Sequence, residues 1–126
     1  MKLSITRGTT MSFLLTIQND DGTIYYLKDG EKLIFGVKFD IESDDYLIKK
    51  IIIAENREEN GYLISLKPED TQKLEFKDYR YDIGLQTNDG DYYMLVLCSP
   101  FVVNKAVTAK EWFFDRYNKK ARKNLW

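Results

Sequence analysis

The chain has 126 residues, 44% hydrophobic and 31% charged with no biased tract, a length and composition that fit one folded domain. Histidine is absent and Cys98 is the single cysteine. That removes the commonest general base, the usual partner of a nucleophilic Ser or Cys, and any cysteine cluster for a metal, so neither an enzyme nor a cofactor is expected.

From the N-terminus, Met1 to Arg7 lacks the apolar stretch of a secretory signal. No later run reaches the roughly 18–20 apolar residues that cross a bilayer. Period-two alternation then dominates. Phe13, Leu15 and Ile17 form one apolar face, and Leu33, Phe35, Val37, Phe39 and Ile41 form a second. Ile48–Ile53 and Tyr62–Leu66 are shorter and less regular strands, whereas Tyr79, Tyr81, Ile83 and Leu85 alternate cleanly. Tyr92–Leu97 is nearly continuous in apolar residues, the pattern of a strand that is central or covered on both faces. Asp21-Gly22, Asp29-Gly30, Asn60-Gly61 and Asp89-Gly90 supply turns, and Asn88-Asp89-Gly90 predicts a hairpin. Lys67–Leu74 starts on Pro68 and reads as one helical turn crossing between sheets.

After residue 107 the pattern changes. Thr108-Ala109-Lys110-Glu111 matches a capping box, and Phe113, Tyr117 and Ala121 follow at i, i+4, which predicts a helix over 109–122. The expected organisation is a β-sandwich over 1–107 and a helical tail over 108–126. The tail is also where the charge lies. Residues 105–126 hold seven Lys/Arg against Glu111 and Asp115, a net of +5 that leaves −6 on residues 1–104.

The order of motifs carries a resemblance. Ile5-Thr6-Arg7-Gly8-Thr9-Thr10 leads into the Phe13–Ile17 strand. Asp21-Gly22, Tyr26-Leu27, Phe35-Gly36-Val37-Lys38 and Leu66-Lys67-Pro68-Glu69-Asp70-Thr71 come next, then Tyr79–Leu85, Asp89-Gly90 and Phe101-Val102-Val103. This series resembles the immunoglobulin-like N-terminal module of upper baseplate proteins, tail and baseplate components of phages of Gram-positive bacteria, over residues 3–108. The pattern departs from that module at Cys98-Ser99-Pro100, where a glycine is expected, so a break or bulge belongs there. The resemblance implies an all-β, antiparallel immunoglobulin-like sandwich of about 7–8 strands with no catalytic residues. It also implies a virion part, made and assembled in the host cytoplasm, that docks onto other subunits or onto itself.

Within that frame the tail is the candidate partner anchor, through Trp112, Phe113, Phe114, Arg116, Tyr117, Leu125 and Trp126. The other reading of the tail is packing across its own sandwich. Nucleic acid is disfavoured by the acidic body. Tyr25, Tyr26, Tyr92 and Tyr93, with Tyr46, stand near turns and could form a sugar platform, although tyrosine is equally a strand residue. Tyr79 or Tyr81 is a candidate tyrosine corner near the 68–74 crossing. The acids at 19–21, 42–45 and 88–91 read as solvated turns, not calcium ligands, and Cys98 reads as a small buried hydrophobe. The expected function is a docking module of a phage tail, baseplate or neck. Its alternatives are a carbohydrate-binding module for host-surface polysaccharide and a small phage-encoded inhibitor of a host protein.

Overall fold

A computed structural model describes residues 1–107, and the expected helix over 109–122 lies outside the described residues. Eight strands form in chain order: β1 (Leu3–Thr6), β2 (Met11–Leu15), β3 (Lys32–Lys38), β4 (Ile48–Ile53), β5 (Arg57–Glu58), β6 (Gly61–Leu66), β7 (Asp78–Gln86) and β8 (Tyr92–Asn104). Two sheets result, a five-stranded one in the order β1-β8-β7-β3-β4 and a three-stranded one in the order β2-β6-β5. The fold is all-β, with only a 3₁₀ turn at Ala54–Asn56 and one α-helical turn, α1 (Pro68–Thr71), among the described residues.

Alternation does what the sequence suggests. Leu33, Phe35 and Val37 from β3 and Tyr79, Tyr81, Ile83 and Leu85 from β7 are buried, as are Tyr62, Ile64 and Leu66 from β6 on the facing sheet. Phe35 lies at the centre, with ring centroids of Phe13, Tyr81 and Phe101 at 6.0, 5.7 and 6.4 Å. These separations and tilted or edge-on geometries are the favoured ones for aromatic pairs.

Four expectations need correction. Tyr92–Leu97 is not covered on both faces, since Tyr92, Tyr93, Met94 and Leu97 are exposed and β1 pairs with β8 only from Phe101 onward. The large sheet is not purely antiparallel, because β1 runs parallel to β8, with Leu3 opposite Phe101 and Thr6 opposite Asn104. Nearly the whole chain separates those two strands, so no short turn forces them antiparallel. The alternation from Leu33 does not reach Ile41: β3 stops at Lys38, and Phe39 and Ile41 are exposed in the loop beyond it. Cys98 is exposed, not buried. The cause is in β8, whose pairing to β7 slips on both sides of Ile83, so that Ile83 faces Val96 while Tyr81 faces Ser99. Each extra residue reverses the in/out parity of the rest of the strand, and Leu97 and Cys98 are left outside. The departure at Cys98-Ser99-Pro100 is thus bulged and not broken, since the strand continues to Asn104.

The turns have the expected chemistry. Asn60 takes φ 69° where β5 meets β6, and Gly90 takes φ 88° in the β7–β8 hairpin, closed by Thr87 N–H donating to Asp91 O at 2.9 Å. At the crossing between sheets, Asp70 accepts from Lys67 N–H at 2.7 Å and pairs with Lys50 Nζ at 2.9 Å, which ties α1 to β4. Thr71, fully buried, accepts from Gly8 N–H at 2.8 Å and fixes the β1–β2 loop.

Candidate docking face

On β3 and β7, the residues between the buried ones point away from the core, and two of them are glycine. A Cβ on Gly36 would fall 2.5 Å from the Tyr46 ring, and one on Gly84 would overlap the Tyr92 phenol. Both tyrosines therefore lie against bare backbone on the outside of the large sheet. Register places an apolar row across the same surface: Ile51 opposite Ile34, Ile34 opposite Gly84, and Gly84 opposite Met94. Ile51, Ile53, Tyr92 and Met94 are between 40% and 50% exposed. Exposed apolar side chains gathered on one face form the kind of patch that can serve as an interaction site.

Charges frame it. Lys32, Lys38, Lys49 and Arg80 project from this side together with Asp78 and Asp82, and Asp40 joins them from the loop after β3. Lys38 Nζ and Lys49 Nζ stand 4.8 and 5.0 Å from the Tyr46 ring centroid, capping the ring with cations. At one edge a hollow of about 110 Å³ is lined by Lys38, Tyr46, Arg80, Asp82 and Cys98 over the Gly36 floor. Burial pushes the Asp82 carboxyl up and the Lys38 ammonium holds it back. The hollow falls well short of the roughly 300 Å³ of a usual small-molecule site. Among the described residues, no group of three His, Cys, Asp or Glu side chains is placed to hold a metal ion.

The sugar-platform tyrosines do not come together. Tyr25 and Tyr26 are half-buried against the core before β3, with Tyr25 Oη donating to Glu31 at 2.6 Å and the Arg57 guanidinium 3.5 Å from the Tyr26 ring centroid. Tyr92 and Tyr93 are consecutive in β8 and so point to opposite sides of the sheet. Tyr46 and Tyr92 do share a side, and the field of Tyr46 and Asp82 helps burial to push the Tyr92 phenol up. The tail anchors Trp112, Phe113, Phe114, Arg116, Tyr117, Leu125 and Trp126 lie outside the described residues.

Sequence reasoning missed Ile34, Ile51 and Met94. A signal for Ile51 was present, since Ile51-Ile52-Ile53 is apolar at both parities and therefore presents apolar groups to both sides of its sheet. The outer side of the small sheet is simpler. Leu14 and Leu63 form an exposed cross-strand pair beside Ser12 and Ser65, whose hydroxyls are 2.9 Å apart.

No protein-family model matches the chain, and no curated protein is significantly similar to it.

Proposed function

We propose that this chain is an immunoglobulin-like docking module of a phage virion, a tail, baseplate or neck component that works by burying the outer side of its large sheet against a neighbouring subunit. The observation that carries the docking part is the row Ile51–Ile34–Met94, with the half-exposed Tyr92 ring laid over Gly84 between Ile34 and Met94. Half-exposed aliphatic groups in a contiguous row gain about 25 cal/mol per Å² when a partner removes them from water.

Three features support the immunoglobulin-like part. The orders β8-β7-β3-β4 and β2-β6-β5 correspond to the G-F-C-C′ and B-E-D strands of a variable-type domain. Tyr79, at the start of β7, accepts from Glu75 N–H at 3.0 Å and donates to Glu75 O at 3.1 Å, as a tyrosine corner does. Phe13, Phe35 and Tyr81 occupy the B, C and F positions where antibody domains hold a disulfide and a tryptophan, so aromatic contact replaces the covalent link. The phage assignment rests on the ordered motifs from Arg7-Gly8 to Phe101.

Quantitative mass spectrometry of purified particles from the phage that encodes this chain tests the assignment. The chain is expected in the particle at a fixed copy number relative to known tail proteins. Its absence from washed particles, while it is abundant in the infected cell, overturns the virion reading.

A further inference from the structure

A strand at the rim of a sheet leaves half of its backbone N–H and C=O groups unpaired, and chains guard such rims with lysine, proline, bulges or brevity. The rims of this molecule follow that rule with one exception. β4 carries Lys49 and Lys50, β1 has four residues between Lys2 and Arg7, and β5 has only two residues, both charged. The stretch of β8 that β1 does not reach is bulged twice and ends on Pro100. The part of β6 beyond β5 lies along a groove lined by Lys49, Lys50, Glu55 and Glu58. The exception is β2, which pairs with β6 in unbroken register and ends the small sheet on its other side. Residues 9–18 hold no charge, proline or glycine, in a chain that is 31% charged. Leu15 O points toward β6, since a Cβ on Gly61 would run into it. Strand parity then turns the N–H and C=O of Ser12 and Leu14 outward, where they have no backbone partner among the described residues.

We propose that this rim is completed by β2 of a second copy, added antiparallel about a two-fold axis at Phe13, so that two small sheets join into one. In strand addition of this kind the main-chain hydrogen bonds supply the contact. The strand is self-complementary about Phe13. Ser12 meets Leu14 of the second copy twice, which pairs all the outward groups, and Met11 meets Leu15. Met11, Phe13 and Leu15 then stay on the core side in both copies. Charge sets the direction. At one end of the small sheet the flanking segments, 7–10 and 67–73, carry Arg7, Lys67 and Lys73 against Glu69 and Asp70, a net of +1. At the other end, 16–21 and 57–60 carry Arg57 against Asp20, Asp21, Glu58 and Glu59, a net of −3. Antiparallel addition brings unlike ends together twice, whereas parallel addition would set like beside like. The contact is isologous and closes at two copies. Dimerisation through β2 does not depend on docking of the large-sheet side, which it leaves free.

Two five-residue strands bury less than a standard interface, so a weak dimer is expected, with Kd between about 1 μM and 1 mM. Sedimentation equilibrium of the full 126-residue chain across that range measures it. Ser12→Pro removes an outward N–H and no ladder bond, and Leu14→Lys places on the rim the guard it lacks. Each is expected to weaken dimerisation at least tenfold, with the circular dichroism and cooperative melting of the parent retained. Ile51→Asn, on the large-sheet side, is expected to leave dimerisation unchanged. Amide exchange followed by NMR reads the rim itself: Ser12 and Leu14 should exchange at least tenfold more slowly in the dimer than in the dilute monomer. A parent chain that stays monomeric at millimolar concentration overturns the proposal. So do Ser12 and Leu14 amides already protected in the monomer, because the rim would then be covered from within the chain. A dimer that Ile51→Asn abolishes and both rim variants keep overturns it too. A monomer that is nonetheless present in particles sinks pairing through β2 and leaves docking of the large-sheet side standing.

Discussion

Replacing Tyr79 by Phe removes one oxygen and leaves the ring. Tyr79 is 3% exposed, and its hydroxyl makes two hydrogen bonds to one residue, accepting from Glu75 N–H at 3.0 Å and donating to Glu75 O at 3.1 Å. Each such bond is worth about 0.5–1.5 kcal/mol net. Glu75 is itself exposed, so water recovers part of the loss at its backbone. The expected cost is about 1–2 kcal/mol. At about 4 °C per kcal/mol for a domain of this size, the melting temperature falls by roughly 4–8 °C.

Tyr81→Phe is the internal control. Tyr81 lies two residues on, on the same side of β7 and equally buried, but its hydroxyl makes one bond where Tyr79 makes two, donating to the backbone carbonyl of Met1. Met1 is exposed, so water replaces the lost donor, and under about 1 kcal/mol is expected from its loss. Urea unfolding followed by far-ultraviolet circular dichroism measures both, with an unchanged slope as the sign that only stability moved. A Tyr79→Phe cost within about 0.3 kcal/mol of zero, or smaller than that of Tyr81→Phe, would refute the corner as a brace for the crossing between sheets.

Tyr62→Phe should cost about 1–3 kcal/mol in the same assay, because Leu27 N–H donates to Tyr62 Oη at 2.6 Å in a fully buried place and would lose its partner. Gly61→Ala should cost at least about 2 kcal/mol, since the added Cβ would run into the Leu15 backbone oxygen, which cannot swing aside as a side chain could. Alkali should unfold the domain early. Burial and the Glu31 carboxylate push the Tyr25 phenol up to about 12. The folded state therefore holds that proton more tightly than the unfolded chain, whose tyrosine titrates near 10. Stability is complete below about pH 10 and falls as the pH rises toward about 12. Tyr25→Phe should flatten that part of a stability–pH curve, and an unchanged curve would count against the Tyr25–Glu31 bond.

The legible part of the fold was whatever alternation encodes. Leu33, Phe35 and Val37 and Tyr79, Tyr81, Ile83 and Leu85 are buried as their period demands, and Asn60-Gly61, Pro68 and Asp89-Gly90 punctuate the chain where expected. Three things were not legible, each for a reason of distance or parity. The pairing of β1 with β8 joins residues almost a hundred positions apart, and a four-residue strand carries little pattern of its own. The bulges of β8 change parity without leaving a mark in composition, which is why Cys98 reads as buried and is exposed. The docking face is a product of register. Ile34, Ile51 and Met94 come from three strands, and only the ladder shows that they stand in one row with Gly84 between them. Glu31 shows the converse. No pattern in the sequence singles it out, yet it is 4% exposed, accepting from Tyr25 Oη and from Lys28 N–H at 2.8 Å.

The central claim is that the large-sheet side is the one a neighbouring subunit covers. Met94, on that face and 42% exposed, is a built-in reporter of it. Oxidative footprinting with peptide mass spectrometry, on the free chain and on assembled particles, measures its accessibility in each state. Met94 is expected to oxidise readily in the free chain and to be protected at least several-fold in the particle, with Tyr92 protected alongside it. Equal oxidation of Met94 in both states, with protection confined to other surfaces, would contradict the account.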